Sequence, residues 1–363
     1  MKKIHVLSAM CMAAVLAMTG CGGSESASAT AAETAASATQ AAAGEAEETS
    51  EAAAEQAAEP EIILKYSEVN PDGHFLTDTA YYFADQVAEK SNGRIKIDIY
   101  PAGQLANEKD GIQTIQTSSG VIDIVRCSTS SLSDFGVQKL NVLSMPYIIR
   151  DREHYWNVAQ SDVGEELKAE PQELGLGMVG LFYVDEGFRH FFTVDPVNSI
   201  EDLDGMKLRV PTTELMSDTV AAFGAISTPI SFSELYSSLQ TGTVDGAEQP
   251  LSGYYSNRFQ EVAPNLILDG HVYGSGMVCI SEQAWNMLSA EDQQVLIDAG
   301  LATEEYNKNA AQENDDEMLE LLKAEGVNVV EVPDKTEWQN KVADVIAKYS
   351  AGMEDIVERI SAQ

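Results

Sequence analysis

Two arginines stand inside apolar, strand-like runs near the middle of the chain, and their chemistry is the first functional signal. Arg189 lies in the run FRHFF and Arg209 in the run MKLRV. A charge buried away from water needs a partner, and a guanidinium fork matches a carboxylate with two parallel hydrogen bonds. We therefore predict that one or both arginines clamp a substrate carboxylate. For Arg209 the alternative is an internal ion pair with Asp204 or Glu214.

The strongly negative net charge makes any buried cation notable and argues against two classes of partner. The 363-residue chain has 22 Lys and Arg against 58 Asp and Glu, a net charge of −36. Such an acidic chain is a poor partner for nucleic acid or for an anionic membrane surface.

Enzyme and metal signatures are missing from the sequence. It contains no G-x-S-x-G, H-E-x-x-H or G-x-x-x-x-G-K-[ST] motif. Its five histidines show no metal-ligand spacing, and surface or boundary positions suffice for them. We predict a protein that is not an enzyme and has no cofactor or metal site.

One glycine-rich segment, Gly175–Gly180, matches the dinucleotide-binding spacing G-x-G-x-x-G. That fingerprint requires a strand before it and a helix after it. Here the pattern predicts a helix before and a strand after, so we reject a nucleotide site.

The first 60 residues predict export and tethering. Residues 1–21 combine two lysines with an apolar run too short to span a bilayer, as in a signal peptide. The ending MTGC resembles a bacterial lipobox, which predicts lipidation of Cys21; the alternative is an ordinary signal in which this cysteine is incidental. Residues 22–60 are rich in Ala, Ser, Thr and Glu without an aromatic residue, which predicts a disordered tether.

Cysteine usage leaves one question open. With Cys11 removed and Cys21 lipidated, only Cys127 and Cys279 remain. They form either one disulfide or two buried free thiols.

From residue 61 onward the chain is long enough for two domains and alternates between strand and helix patterns, which favours an α/β fold. Ser231–Glu234 has the pattern of a capping box that begins the helix LYSSLQT. Ser289 begins a helical stretch that continues to Glu325, about 50 Å if unbroken, long enough to run along both domains. A final helix or two is predicted over Glu337–Ile360.

Taken together, these segments resemble the DctP-type substrate-binding proteins of tripartite ATP-independent periplasmic (TRAP) transporters. The likeness covers essentially all of residues 61–363. It is carried by SNGRIKIDIYPAGQL (91–105), LNVLSMPYI (140–148), GFRHFFT (187–193), SIEDLDGMKLRVP (199–211) and FGAISTPISFSELYSSLQTGTVDGAEQP (223–250).

The resemblance implies a two-lobed, periplasmic-binding-protein-like α/β fold, with parallel or mixed sheets flanked by helices, a cleft between the lobes and a long spine helix. We expect lobe I to comprise residues 61–186 plus about 275–313, and lobe II residues 187–274 plus about 314–363. The lobes would close on a carboxylate-bearing ligand. We expect an extracytoplasmic monomer, lipid-anchored to the outer face of the cell membrane or else periplasmic, that delivers its ligand to the small and large TRAP membrane subunits.

The resemblance also assigns roles to individual residues. Arg209 falls on the family's carboxylate-binding arginine and Arg189 on a second arginine that assists it. Gln249 stands where most relatives have an asparagine that touches the carboxylate, and its longer amide can still donate. Phe232 falls on an aromatic residue that lines the cleft.

Two further positions, Arg126 and Glu68, fall where members of the family vary with their ligand. Arg126 would donate to the ligand, and Glu68 would accept from sugar hydroxyls. This favours a sugar acid such as a uronate or aldonate, with a C4-dicarboxylate as the second choice.

Each assignment has a structural alternative. Arg189 would instead belong to an internal ion pair, Phe232 to the core, and Arg126 and Glu68 to a pair with each other across the cleft mouth. At the level of function, the alternative is a solute receptor for an ATP-driven importer or a signalling protein.

Overall fold

The computed structural model describes residues 59–363. The predicted signal, the lipidation site Cys21 and nearly all of the tether lie outside the described residues. The strands are Ile62–Ser67 (β1), Ile95–Tyr100 (β2), Ile124–Ser128 (β3), Met178–Thr193 (β4), Lys207–Val210 (β5), Ile226–Pro229 (β6), Gly246–Pro250 (β7), Asn265–Ser281 (β8) and Asn328–Glu331 (β9).

The strands alternate with α-helices and short 3-10 turns. The α-helices are Phe75–Lys90 (α1), Glu108–Gln116 (α2), Thr129–Leu132 (α3), Arg152–Ala159 (α4), Asp162–Glu173 (α5), Glu214–Ala222 (α6), Leu235–Gln240 (α7), Leu251–Ser256 (α8), Glu282–Met287 (α9), Ala290–Ala324 (α10), Thr336–Lys341 (α11), Ala343–Ser350 (α12) and Glu354–Ser361 (α13). None of these helices, all within residues 59–363, combines the length and the apolar character needed to cross a membrane.

One mixed sheet holds all nine strands, in the order β2-β1-β3-β8-β4-β7-β5-β6, with β9 beside β8. The short strands pair in parallel: β1 with β2 and β3, and β5 with β6 and β7. The two long strands, β4 and β8, are antiparallel to each other and lie between the two short-strand groups. The α/β architecture with a mixed sheet is therefore confirmed, whereas the lobe boundaries remain a prediction.

The long strand β4 unites two runs that the sequence pattern left separate, MVGLFYV and FRHFF. They are joined through a register shift against β8 between Asp185 and Gly187. Arg152 of α4 connects this point of β4 to α10 through two carboxylates. Its Nε lies 2.5 Å from Asp185 Oδ2, and its Nη2 lies 2.6 Å from Asp315 Oδ2 on α10. Gly187 has φ +85°, and a Cβ there would lie 2.9 Å from Asp315 Oδ2, so this position requires glycine.

The spine helix is confirmed. The Ser289 side chain accepts the Asp292 N–H, and the 35-residue helix α10 follows. Its apolar face enters one core cluster through Leu296, Ala299 and Ala311, and a second cluster through Met318 and Leu322. A single helix therefore links two separate cores.

Two local predictions are wrong. Ser231 does not cap a helix; its Oγ donates instead to Glu234 Oε2 at 2.5 Å, a 3-10 turn covers Phe232–Glu234, and α7 begins at Leu235 without a side-chain cap. The C-terminal stretch forms three short helices rather than one or two, and Gly352 at φ +81° separates the last pair.

Candidate functional site

A cleft lined partly by residues of the sheet is divided into two adjoining chambers. The larger, named the outer chamber here, has a volume of about 330 Å³; the smaller, named the inner chamber because several strands of the sheet line it, has a volume of about 50 Å³. Five residues line both chambers and are called the junction here: Val69, Glu108, Arg209, Pro211 and Phe232.

The two chambers differ in character. The outer chamber combines aromatic rings with amide and hydroxyl groups, contributed by Asn107, Ser131, Phe135, Tyr236, Asn257 and Phe259. The inner chamber is lined by charged and polar side chains from the sheet, including Arg126 and Ser128 of β3, Glu186 and Arg189 of β4, and Gln249 of β7.

Arg209 is a buried cation whose charge is not paired. It projects from β5 between two core residues and is 2 % exposed. Its Nε donates to the Ile230 carbonyl at 2.8 Å, but its Nη1 is buried without a hydrogen-bond partner among the described residues. No carboxylate of residues 59–363 lies within ion-pair distance of it, so neither Asp204 nor Glu214 is its partner.

The surroundings of Arg209 show the consequence of this burial. Burial lowers the pKa of Arg209 to about 10, so the guanidinium is still charged at neutral pH but is destabilised relative to water. Its Cζ lies 5.9 Å from the centre of the Phe232 ring, a cation–π distance. Phe232 is only partly buried and lines the junction while also packing edge-on against Phe259.

Arg189, in contrast, is neutralised within the protein. Its Nε and Nη2 donate to the Glu248 carboxylate, the latter at 2.9 Å. Burial opposes ionisation of Glu248, but Arg189 and His271 outweigh it and lower the pKa of Glu248 to about 2. Arg189 therefore forms the internal ion pair that was the alternative to ligand binding. It also lines the inner chamber.

His271 extends this network away from the cleft. Its Nδ1 lies 2.6 Å from Asp269 Oδ2, and its Nε2 lies 3.7 Å from Glu248 Oε2. Burial favours the neutral ring, but the two carboxylates outweigh it and raise the pKa of His271 to about 9. The resulting row of charges alternates in sign from Arg189 to Asp269 and is neutral as a whole.

Arg126 is also paired internally. It donates to Glu68 through Nε at 2.7 Å and Nη2 at 2.8 Å, and to Glu186 through Nη1 at 2.6 Å. Glu68 is fully buried, accepts two further hydrogen bonds from Asn70 and lines neither chamber. The structure thus shows the alternative in which Arg126 and Glu68 pair with each other, and it places Glu68 behind Arg126 rather than against a ligand.

Sequence reasoning missed four acidic or basic residues of this site: Glu108, Glu186, Glu248 and His271. The expectation that histidines occupy surface or boundary positions is wrong, because all four histidines of the described residues are buried (His74, His154, His190 and His271). The Asp-Gly-His spacing at 269–271 was the one local signal, since it brings a carboxylate next to an imidazole.

The question of the two cysteines is answered by the described residues. Cys127 and Cys279 are both buried free thiols. Within residues 59–363 no group of three or more His, Cys, Asp or Glu side chains is arranged to hold a metal ion.

Comparison with known proteins identifies the class of this binding site. Residues 66–352 match the family described as bacterial extracellular solute-binding protein, family 7 (DctP). The chain is 30 % identical over 287 residues to the sialic acid-binding periplasmic protein SiaP of Vibrio cholerae, covering 78 % of this chain and 88 % of that protein.

Solved structures give the same result. The TRAP periplasmic solute-binding protein of Pseudomonas putida F1, with bound D-glucuronate, has a TM-score of 0.80 and 29 % identity, covering 83 % of this chain and 97 % of that one. The TRAP solute-binding protein of Sulfurospirillum deleyianum, with bound succinate, has a TM-score of 0.77 and 28 % identity, covering 84 % and 99 %.

The chain therefore belongs to the DctP family of extracytoplasmic solute-binding proteins, the receptors of TRAP transporters. It is a solute receptor and not an enzyme, and the alternative of a receptor for an ATP-driven importer is set aside.

The two buried arginines should respond oppositely when their charge is removed. Arg189→Met leaves the buried row of Glu248, His271 and Asp269 with one uncompensated negative charge, so we expect it to lower the free energy of unfolding by about 3–5 kcal/mol. Arg209→Met removes an unpaired buried charge, so we expect no loss of stability in the ligand-free protein, or a gain. Urea denaturation of both variants measures this difference; a similar loss in both would contradict the assignment of Arg209 as unpaired.

Stability should also fall between about pH 7 and 9 because of His271. Its pKa rises on folding from the ordinary 6.5 to about 9, so its stabilising effect is complete below pH 6.5 and is lost as the pH rises through 9. Between pH 7 and 9 we expect a decline of roughly 2 kcal/mol, less than two full units at about 1.36 kcal/mol each, because the slope is smaller close to either pKa.

The pH dependence of the unfolding free energy, measured with and without His271→Gln, tests this prediction. His190→Gln is the control, because burial lowers the pKa of His190 to about 4 and its effect lies below pH 6.5. A decline that persists in His271→Gln would show that another group causes it.

Proposed function

We propose that this protein binds a small organic acid, most favourably a sugar acid such as a uronate or aldonate, and delivers it to a sodium-coupled TRAP membrane transporter. The observation that carries the proposal is Arg209, a buried guanidinium at the junction; among residues 59–363, one of its nitrogens has no hydrogen-bond partner and no carboxylate forms an ion pair with it. A ligand carboxylate would supply the missing charge and hydrogen bonds at once.

The rest of the cleft supports a ligand that also carries hydroxyl groups. The outer chamber offers amide and hydroxyl side chains from Asn107, Ser131 and Asn257. Phe232 and Phe259 add flat apolar surface of the kind that packs against the C–H face of a sugar ring. The likeness to the Pseudomonas putida receptor, which holds D-glucuronate, agrees with this chemistry.

A C4-dicarboxylate is the second candidate. Arg126 and Arg189 add two cationic groups to the inner chamber, and the Sulfurospirillum deleyianum receptor holds succinate. Both of these arginines are already paired with glutamates, however, which weakens their attraction for a second ligand carboxylate.

Binding would act through closure of the lobes around the long strands β4 and β8. A ligand shifts such an equilibrium only by its greater affinity for one state. We propose that a carboxylate on Arg209, with assistance from Arg189, Gln249 and Arg126, supplies that difference in affinity for the closed state.

A thermal-shift panel on a chain that lacks residues 1–21, refolded to remove carried-over ligand, tests the ligand class. The panel contains glucuronate, galacturonate, gluconate, succinate, malate, sialate, pyruvate, neutral sugars and amino acids. A ligand at a hundred times its Kd adds about 2.7 kcal/mol, which raises the Tm by several degrees.

We expect shifts with uronates or aldonates. Shifts with succinate or malate alone would retain Arg209 but favour the second candidate. Shifts with neutral sugars alone would contradict a carboxylate-binding receptor.

We also propose that the mature protein is anchored to the outer face of the cell membrane by a diacylglyceryl group on Cys21, since two acyl chains give the stable hold that one chain does not. In cells, Cys21→Ser should move the protein from the membrane fraction to the released fraction. Cys11→Ser, within the predicted signal, is the matched control and should remain anchored. An equal distribution of wild type and Cys21→Ser would show that Cys21 is not the anchor.

A further inference from the structure

We infer that Glu108 restricts the ligand to acids with a single carboxylate, because it presents a negative charge to the part of the ligand that lies next to Arg209. The inference rests on the proposed function, in which Arg209 receives the ligand carboxylate. Beyond the proposed function, it specifies that the ligand carries a single negative charge and names Glu108 as the residue that selects for that charge.

The position of Glu108 is fixed by the start of α2. Asn107 caps this helix by accepting the Asp110 N–H at 2.9 Å, which directs the next residue, Glu108, toward β3. Glu108 Oε1 accepts the Ser128 N–H at 2.6 Å, whereas Oε2 is not part of that hydrogen bond. The side chain is half-buried and lines both chambers, as Arg209 does.

The junction holds one cation, one anion and three apolar residues. Val69, Pro211 and Phe232 have no side-chain hydrogen-bonding group, so Arg209 and Glu108 are its two polar contacts. A guanidinium only donates hydrogen bonds, and an ionised carboxylate only accepts them. The complementary ligand presents a carboxylate to Arg209 and a hydroxyl to Glu108, as a polyhydroxy monocarboxylic acid does.

Among the described residues, the other charges that line the two chambers include no unpaired buried cation for a second ligand carboxylate. Arg126 is paired with two glutamates and Arg189 with Glu248. At the outer rim, Lys109 and Asp134 are exposed and of opposite sign, so they offset each other. A second carboxylate would therefore face Glu108 without compensation, and like charges repel more strongly in a partly buried cleft than in water.

The charge of Glu108 reaches the arginines of the inner chamber. Burial lowers the pKa of Arg209, and Glu108 is among the carboxylates that oppose this effect. It acts in the same direction on the pKa of Arg126 and of Arg189. Glu108 thus already partly offsets the positive potential that would otherwise attract a dianion.

Two pairs of matched ligands test the inference by calorimetric titration of the chain that lacks residues 1–21. D-gluconate is compared with D-glucarate, in which a second carboxylate replaces the terminal hydroxymethyl group, and D-galactonate is compared with galactarate, which differs from it in the same way. For the wild type we expect the monoanion of at least one pair to bind, with the matching dianion at least tenfold weaker.

Glu108→Gln should lower this preference at least tenfold, because the isosteric amide still accepts the Ser128 N–H but carries no charge. Asp110→Asn is the matched control, since it removes a charge from the same turn of α2 at an exposed residue that lines neither chamber. It should retain the wild-type preference. Glu108→Asp keeps the charge and should retain it as well, which separates charge from a general disturbance of the helix.

The outcomes distinguish this inference from the proposed function. If the wild type binds glucarate or galactarate as tightly as its monoanion partner, or if Glu108→Gln and Asp110→Asn behave alike, the inference is overturned while a carboxylate receptor stands. If no acid binds, or if acids bind equally well after Arg209→Lys, the proposed function fails and the inference fails with it.

Discussion

The site depends on the difference between a buried arginine that is paired and one that is not. Three guanidiniums, Arg126, Arg189 and Arg209, line the inner chamber. Glutamates hold the first two in fixed geometry, and both are components of the folded protein before any ligand arrives. Of these three, Arg209 has a buried nitrogen for which the described part of the chain offers no hydrogen-bond partner. Under the proposed function, a ligand carboxylate supplies that partner, and its place is then set by β5.

The sheet explains why these charges meet. The antiparallel pair β4 and β8 runs between both groups of short strands, so residues distant in sequence converge on one face. Arg189 of β4 and Glu248 of β7 come from strands that pair with each other, and Arg126 of β3 meets Glu186 of β4 across β8. Helix α10 links the two cores from outside, and Arg152 braces β4 at its register shift. This is the arrangement expected of a receptor whose two halves move as units.

Local signals predicted much of this structure. The cap at Ser289 and the unbroken helical composition after it fixed the spine helix, and the apolar runs around Arg189 and Arg209 identified two cations that had to be buried. The capping box at Ser231 was misread because a serine and a glutamate three residues apart can bond to each other as well as to the backbone.

Pairing between distant residues could not be predicted from local patterns. Arg189 and Glu248 are 59 positions apart, and Arg126 and Glu68 are 58 apart, so no local pattern decides whether each arginine meets a glutamate or a ligand. Glu68 was predicted to accept hydrogen bonds from sugar hydroxyls, but it pairs with Arg126 and lines neither chamber. Glu108 lines the junction, yet in sequence it is an ordinary acidic residue in the first turn of a helix.

The most direct test of the central claim is the affinity of Arg209→Lys for the acid that the wild type binds most tightly, measured by calorimetric titration at neutral pH. A lysine keeps the charge but cannot reproduce the two-pronged contact of a guanidinium with a carboxylate. The account predicts a Kd raised about tenfold to a hundredfold, corresponding to the loss of a charged hydrogen bond. An unchanged Kd would contradict the assignment of Arg209 as the residue that holds the ligand carboxylate.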